Sequence, residues 1–505
     1  MNDSYLLGVG GSGAKCVEAF VRLAMCGVGP ASSWVGLMDQ DRSNGNVGRT
    51  NQLLAEYLDL RRALRTPGVA DLGDSPLFAS ELRQPGGGWA WAPEAQSASS
   101  LASSTGYGGL PLPQQALLEA LFSGTERTLE LDEGFRQRPA LGAAVTLQGL
   151  QSASGLWQEL LNALRSAGHG RPIRVFLIAS IFGGTGAAGF PTVARLLRDR
   201  IEQEQLSDRV KLGGALLLPY FSFPPPPDGG PAIRPDSAAF MMQARGALEY
   251  YARLQSEQVF DRLYVIGNDP LIQLDTYSDG GVNQVNPPML TELVAALAAI
   301  DFAGRDSFDA RGTVVAAGTR GDGPIGWTDL PFEAVDSELE GALRTNVAAT
   351  LRAAIAWRQF YHGAFTPTGL AASAPEAWFR RLMGPDGRRV ASSEATQRAI
   401  TLVSHAFDTT LAWFVSLNRG GAGGTQKLAL LDDGAMAEGP AVRPVLRPNI
   451  SDAAFRALLP PTPGPSYSEV FARMTYGPVP LKGHGIGRVL AALHAASATE
   501  RDGTT

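Results

Sequence analysis

Apolar residues in the N-terminal three fifths of the chain follow two alternating periods. Short apolar runs predict buried strands, and apolar residues spaced three or four apart predict helices. The predicted strands cover 5–9, 34–38, 173–179, 212–219 and 262–267. The predicted helices cover 15–25, 51–64, 114–122, 156–166, a segment after 186, 237–254 and 288–303. Strands that alternate with helices predict an α/β fold with a mainly parallel sheet and helices on both faces.

The pattern changes after about residue 329, where long helical stretches dominate at 337–361 and 396–417. We therefore expect a domain boundary within 305–330, with an α/β domain over 1–305 and a helix-rich C-terminal domain over 306–505. Residues 84–113 are rich in Gly, Ser, Ala and Pro, which predicts a long surface loop.

Composition narrows the function classes. The chain has 505 residues, of which 44% are hydrophobic, and a net charge of −6. With no cluster of Lys and Arg, we expect no nucleic-acid partner. The 2 cysteines favour a reducing, cytoplasmic compartment. We see no apolar run of about 18 residues and no basic region before the first apolar stretch, so we expect neither a membrane span nor a signal peptide.

The first candidate site is the segment GVGGSG, which lies between a predicted strand and a predicted helix. Consecutive glycines let backbone N–H groups approach a phosphate, and the positive end of the following helix attracts the same anion. The expected contacts are Gly8, Gly10, Gly11, Ser12 and Gly13, with Lys15 adding charge at the rim.

The same segment satisfies the GxGxxG pattern, and Asp39 ends the next strand where a ribose partner is plausible. A Rossmann-type NAD site is therefore an open alternative. A Walker P-loop does not fit, because Lys15 lies two places after Gly13 and Cys16 stands where Ser or Thr is needed. A glycine turn that merely lets strand and helix pack closely is the structural alternative.

A second glycine loop, GGTG, also joins a buried strand to a helix. Two phosphate-type loops at two helix N-termini can converge on one nucleotide at the carboxyl ends of the strands. A simple Rossmann dehydrogenase does not need this second loop. The expected contacts are Gly183, Gly184, Thr185, Gly186 and Ala187.

The order of these segments resembles the tubulin/FtsZ superfamily. GGTG resembles the tubulin signature GGGTGSG, with Phe182 in place of its first glycine, and GVGGSGAK resembles the FtsZ segment GVGGGGGN. Asp39 and Asp41 fall where FtsZ-like proteins carry an acidic loop, and the segment IGND at 266–269 resembles IPND. The resemblance covers residues 5–303 and is nearest to divergent bacterial tubulin-like proteins.

This resemblance implies that the ligand is GTP or GDP, bound with or without Mg²⁺. It also implies that 288–303 form the core helix that joins the two domains. Asn268 and Asn286 are candidates for reading the guanine edge, although asparagines also serve as turn residues. The family hydrolyses GTP through an acidic loop that reaches the nucleotide of the next subunit. The corresponding candidates in this sequence are Asp301 and Asp306. A purely structural role, in which these side chains solvate or cap the end of the helix, is an equally open alternative.

The expected function is a guanine-nucleotide-binding protein whose nucleotide state controls self-assembly or partner binding, with slow or conditional hydrolysis. The FtsZ acidic motif is incomplete here, and the C-terminal part is unlike that of the family, so the family's inter-subunit surface does not carry over. A head-to-tail oligomer or filament stays open as the form of self-assembly, beside the binding of a partner protein. The alternatives are an NAD-binding oxidoreductase and a non-hydrolysing scaffold in a bacterial complex. Trp89 and Trp91 can stack on a partner or anchor their loop, and the segment GFRQRP at 134–139 indicates a turn.

Overall fold

The structure is a computed structural model. It describes residues 3–86, 88–92, 100–131, 134–151, 155–166, 172–225, 236–278, 280–308, 310–319, 324–331, 337–419, 428–432, 437–438, 445–446, 449–478 and 482–499. Part of the predicted 84–113 loop, namely 87 and 93–99, lies outside these residues.

The strands are β1 Asp3–Val9, β2 Ser32–Met38, β3 Ala70–Asp71, β4 Glu81–Arg83, β5 Ala90–Trp91, β6 Ile173–Ser180, β7 Val210–Leu217, β8 Phe221–Ser222, β9 Arg262–Asn268, β10 Ile272–Gln273, β11 Thr313–Thr319, β12 Ala437–Glu438 and β13 Val445–Leu446. The helices up to the end of the sheet are α1 Gly10–Met25, α2 Gly45–Ala63, α3 Leu101–Ser104, α4 Leu112–Leu121, α5 Gly124–Arg127, α6 Pro139–Gln151, α7 Gly155–Ser166, α8 Thr185–Gln203, α9 Phe240–Ser256 and α10 Leu290–Gly304. The later helices are α11 Ser337–Ala356, α12 Pro367–Ser373, α13 Ala377–Met383, α14 Gly387–Ala391, α15 Glu394–Asn418, α16 Asp452–Ala457, α17 Tyr467–Tyr476 and α18 Gly485–Ser497.

The central sheet has the strand order β11-β9-β7-β6-β1-β2-β4, with β5 also paired to β2, and every pairing in it is parallel. All eight residues of β6 are buried, as expected for the middle of a sheet covered on both faces. The predicted α/β class with a parallel sheet is therefore confirmed. Because β1 and β6 are neighbours, the loops that follow them begin side by side at one edge.

The chain divides into two compact units. Unit 1 comprises Met1–Phe20, Ser32–Gln52 and Glu81–Gly321, and it contains the central sheet. Unit 2 comprises Val21–Ala31, Leu53–Ser80 and Asp322–Thr505. The described part of unit 2 beyond residue 337 is built mainly from α11–α18, with the short pair β12–β13. A single boundary within 305–330 did not anticipate that two N-terminal segments would belong to unit 2.

Helix α15 is the one helix, among the described residues, that is long and apolar enough to cross a membrane. Of the most apolar 18-residue stretch of this helix, 61% is buried within the structure. Its buried side chains include Val403, Phe407, Leu411 and Phe414, so its apolar side packs into unit 2 as the side of a core helix does.

Several elements differ from the sequence prediction. Strand β11 follows the core helix α10 and pairs with β9, so the sheet continues beyond residue 305. Helix α6 was not predicted, because its apolar residues do not form a stripe. The described part of the predicted 84–113 loop contains β5 and the short helix α3, which begins at a Ser100–Ser103 capping box.

Candidate functional site

The structure brings the two glycine loops into contact. Gly8 of β1 is in register with Ile178 of β6, so both strands deliver their carboxyl ends to the same place. Gly10 then opens α1, and Gly184 precedes α8. Gly10 has a φ of +75°, and a Cβ there would lie 3.0 Å from the backbone nitrogen of Gly186. Only glycine allows this close approach of the two loops.

Two glycines of the first loop serve packing instead. A Cβ on Gly8 would lie 2.6 Å from the carbonyl oxygen of Gly13, and a Cβ on Gly13 would lie 2.6 Å from that of Ile178. These contacts hold α1 close against β1 and β6. Neither glycine lines the cleft described next, so their role is to place the loop.

A cleft of about 810 Å³, partly open to solvent, lies over the two loops. The sequence-predicted residues that line it are Gly10, Gly11, Ser12, Lys15, Asp39, Asp41, Gly183, Gly184, Thr185, Gly186 and Asn286. The helices α1 and α8 both begin at this cleft, and the first N–H groups of a helix have no partner within it. The cleft therefore offers two positive helix ends to an anion.

Asp39 lies at the end of β2 beneath the second loop. The hydroxyl of Thr185 donates to its carboxylate (2.8 Å), and the side chain is 6% exposed. Burial raises the pKa of Asp39 to about 7, and the nearby charge of Asp41 acts in the same direction. Near neutral pH this carboxyl can thus be protonated, and it then adds no negative charge beside a bound anion.

Asp41 and two asparagines fasten the segment 280–286 to the start of α2. Asp41 accepts hydrogen bonds from the backbone nitrogen of Gly281 (2.7 Å) and from the Ser43 hydroxyl (2.8 Å). The Asn44 amide donates to Gln284 (2.5 Å), and Asn46 accepts from the backbone nitrogen of Asn286 (3.0 Å). One end of the cleft is therefore lined by amide groups.

Lys15 is not at the rim, where the sequence placed it. Its side chain is 2% exposed, and it forms an ion pair with Glu292, which is 1% exposed. It also donates to the Pro287 carbonyl (2.7 Å), while Glu292 accepts from the Tyr220 hydroxyl (2.9 Å). Burial lowers the pKa of Lys15 and raises that of Glu292. The ammonium group is thus held by α10, a contact that joins distant parts of the sequence.

The segment 134–137 forms a cleft wall that sequence reasoning did not assign to the site. Phe135 and Gln137 lie against Gly184, where a Cβ would be 3.1 Å from the Gln137 nitrogen. Arg136 and Gln137 have positive φ values of 42° and 62°, which are uncommon for such residues and concentrate at functional sites. The turn predicted for this segment gave no hint of this position.

Aromatic rings line another part of the cleft. Phe182, which replaces the first glycine of the tubulin signature, packs against Phe240 with ring centroids 4.5 Å apart. Phe221 and Phe223 extend the same cluster and also line the cleft. Phe221 and Phe223 are two residues apart, as in a strand, but Phe182 and Phe240 lie far from them in the sequence, so no local pattern signalled the cluster. Such rings can stack on a base.

Other predicted residues lie outside the cleft lining. Ala187 is within α8, and the Asn268 amide donates to the Pro270 carbonyl (3.0 Å). Asp301 lies within α10, is 3% exposed, and pairs with Arg305 (3.0 Å) and the Tyr264 hydroxyl. Asp306 follows the helix and is exposed.

The acidic groups of the cleft do not form a dedicated metal cage. The described residues contain no group of three or more His, Cys, Asp or Glu side chains able to hold a metal ion. Asp39 and Asp41 already accept hydrogen bonds from Thr185, Ser43 and Gly281. This donor set fits a Mg²⁺ ion that would be held mainly by phosphate oxygens and water.

The chain matches no protein-family model, and the comparison with curated proteins found no match. The chemistry of the cleft is therefore the basis for assigning a function. The cleft combines two helix N-termini, a buried carboxyl, an amide-lined end and an aromatic cluster. Such an arrangement can hold a phosphorylated ligand with a ring system.

Proposed function

We propose that this chain is a tubulin/FtsZ-like protein that binds GTP or GDP in the cleft between its two glycine loops. The nucleotide state controls self-assembly or the binding of a partner protein, and hydrolysis is slow or conditional. The observation that carries this proposal is the contact between the loop after β1 and the loop after β6, with a helix beginning at each.

A nucleoside triphosphate suits this arrangement because each helix N-terminus presents unpaired N–H groups to the phosphates. An NAD-type site would use the first loop alone and would need Asp39 to reach a ribose. In this cleft the Asp39 carboxylate accepts the Thr185 hydroxyl of the second loop instead. The proximity of the second loop thus favours a nucleotide whose phosphates contact both loops.

Guanine is the proposed base because the amide-lined end offers donors and acceptors together. Gln284 and Asn286 line the cleft, and each amide can present both kinds of group. In another part of the cleft, the phenylalanine cluster supplies apolar surface to the ligand. ATP therefore serves as the comparison ligand for base selectivity.

Slow or conditional hydrolysis is proposed because of the positions of the two acidic candidates. Asp301 is buried and neutralised by Arg305, so it is not available to a neighbouring subunit in this arrangement. Asp306 is exposed and is the candidate that a second copy can reach. We expect Asp306→Ala to lower any concentration-dependent GTP hydrolysis and Asp301→Asn mainly to lower stability.

Substitutions at two glycines test the site with little disturbance of the fold. Added side chains at Gly11 and Gly183 first meet the Asn44 amide and the Ser180 hydroxyl, both at 3.1 Å and both on side chains. Gly11→Val and Gly183→Val should each weaken binding of a fluorescent GTP analogue. Losing one hydrogen bond to a charged phosphate costs about 1.5–3 kcal/mol, or about 10- to 100-fold in affinity.

The matched control is Gly246→Val on α9, where an added Cβ would meet no atom within 4 Å. It should bind the analogue as the unmodified chain does. Loss of binding in Gly11→Val alone would favour the NAD-type alternative. Unchanged binding in both loop variants would contradict the two-loop site.

Light scattering and pelleting with GTP, with GDP and without nucleotide test the proposed switch. A nucleotide shifts assembly only by its different affinity for the two states. We expect the oligomeric state, or the binding of a partner, to differ between GTP and GDP. A nucleotide-binding chain with the same oligomeric state in all three conditions and no nucleotide-dependent partner would be the scaffold alternative.

A further inference from the structure

A second pocket, here called the tryptophan pocket, lies on one face of the sheet in unit 1. Its walls are formed by Tyr5, Trp34, Trp91 and Trp157, and its floor includes Gly36. It is a shallow pocket, and the roughly 530 Å³ of empty space within its outline includes open solvent. It shares no lining residue with the cleft over the glycine loops, so it constitutes a separate site.

The shape of the pocket follows from the sheet. Tyr5 of β1 and Trp34 of β2 are in register, and their rings stack with an interplanar angle of 3°. Two residues further along β2, Gly36 carries no side chain and leaves space between these rings and the helices. Trp91 enters from β5, and Trp157 enters from α7. The rings are half-buried rather than packed into the core.

A carboxylate is the distinctive polar group of this apolar pocket. Glu159 of α7 accepts the Gly86 backbone N–H through one oxygen (2.6 Å). Its other oxygen is buried and has no hydrogen-bond partner among the described residues. A buried acceptor without a donor costs free energy, so a ligand that donates to this oxygen gains affinity.

The charges and rings around the pocket favour a cation. The carboxylates of Asp3 and Glu159 lie close enough to Tyr5 to add to the effect of burial, which raises the pKa of Tyr5 to about 12. Arg83 acts in the opposite direction on the Tyr5 pKa, and its guanidinium carbon, 5.9 Å from the centre of the Trp34 ring, already makes a cation–π contact with that ring. Aromatic rings combined with a carboxylate are the usual means of binding organic cations.

We propose that the tryptophan pocket binds a small organic cation that carries an aromatic ring, with its ammonium group on Glu159 and its ring among the tryptophans. The described residues that line the pocket offer no cluster of donors for a phosphate. An amine with one ring matches the chemistry of the apolar walls and of the single unpaired oxygen.

Phenethylamine and 2-phenylethanol provide a matched pair of probes, because the first carries an ammonium group where the second carries a hydroxyl group. Each is titrated into the full chain by calorimetry, with tryptophan fluorescence as a second signal. We expect the amine to bind at least about tenfold more tightly, or by about 1.4 kcal/mol, because only its ammonium group adds a charge–charge attraction to the hydrogen bond on the Glu159 carboxylate.

Glu159→Gln preserves the size of the side chain and its acceptor for Gly86. It should abolish the preference for the amine and leave the affinity for 2-phenylethanol unchanged. Trp157→Ala should weaken both probes, and the control Glu249→Gln, on the exposed side of α9, should change neither. Equal affinity for the two probes, a preference that persists in Glu159→Gln, or no binding of either probe would overturn the proposal.

Discussion

The buried pair Lys15–Glu292 provides the most informative substitution, because the two possible roles of Lys15 predict different results. Both side chains are almost fully buried, at 2% and 1% exposure. Removing one member of such a pair leaves a buried charge without its partner, which costs about 3–5 kcal/mol. Lys15→Met should therefore destabilise unit 1 by an amount in this range.

The structure also predicts how this loss depends on pH. In Lys15→Met, Glu292 keeps the Tyr220 hydroxyl and the Met289 backbone N–H (both 2.9 Å) but loses its cation. Burial raises the pKa of this carboxyl in the folded chain above its unfolded value. Stability is then fully present below the unfolded pKa and is lost as pH rises through the folded pKa. The variant should thus recover stability in acid.

A double-mutant cycle isolates the pair. In Lys15→Met/Glu292→Leu neither charge remains, so the double variant should be more stable than the sum of the single losses predicts, by about 2 kcal/mol or more. Urea denaturation is followed together with hydrogen exchange of the α10 amides, because a chain with two compact units need not unfold in one step. Lys211→Met, a partly exposed lysine of unit 1, is the control.

The opposite outcome would be equally clear. If Lys15→Met left stability unchanged but abolished nucleotide binding, Lys15 would be a phosphate ligand and the buried pair would not exist in solution. Additive losses in the cycle would likewise refute the proposed coupling.

Three further predictions concern stability. Burial raises the pKa of Asp39 in the folded chain to about 7, so its ionisation should destabilise the chain as pH rises through 7. The cost of this ionisation approaches about 4 kcal/mol, and Asp39→Asn should therefore make the free energy of unfolding in urea depend less on pH between about pH 5 and 8. Burial lowers the pKa of His494 to about 4, so stability is lost as pH falls through 4; His494→Leu should retain more α18 hydrogen-exchange protection in acid. Gly246 is helical with open space around an added Cβ, so Gly246→Ala should raise stability in thermal unfolding by about 1 kcal/mol, and a loss would contradict the described α9.

The sequence was informative wherever local pattern decides the structure. The strand β6 was predictable because an uninterrupted apolar run ends in a glycine loop, and the same holds for β1. The parallel-sheet prediction placed both loops at the carboxyl edge of the sheet, whereas the pairing of β1 with β6 that makes them adjacent was not predicted. Strand β11 was missed because a domain boundary was expected at its position.

The remaining features depend on contacts between residues that are distant in sequence. Lys15 is buried because Glu292 of α10 pairs with it, and no local signal links these positions. The cleft wall around Arg136 and Gln137 requires left-handed backbone at residues that seldom adopt it. The tryptophan pocket likewise exists only because β1, β2, β5 and α7 converge.

The central claim is that the cleft between the glycine loops binds a guanine nucleotide. Calorimetric titration of the full chain with GTP, GDP, ATP and NAD, in one buffer containing Mg²⁺, tests it most directly. The proposed site predicts binding of GTP and GDP with one nucleotide per chain, and weaker binding of ATP and NAD. Preferential binding of NAD, or no binding of any of the four, would contradict it.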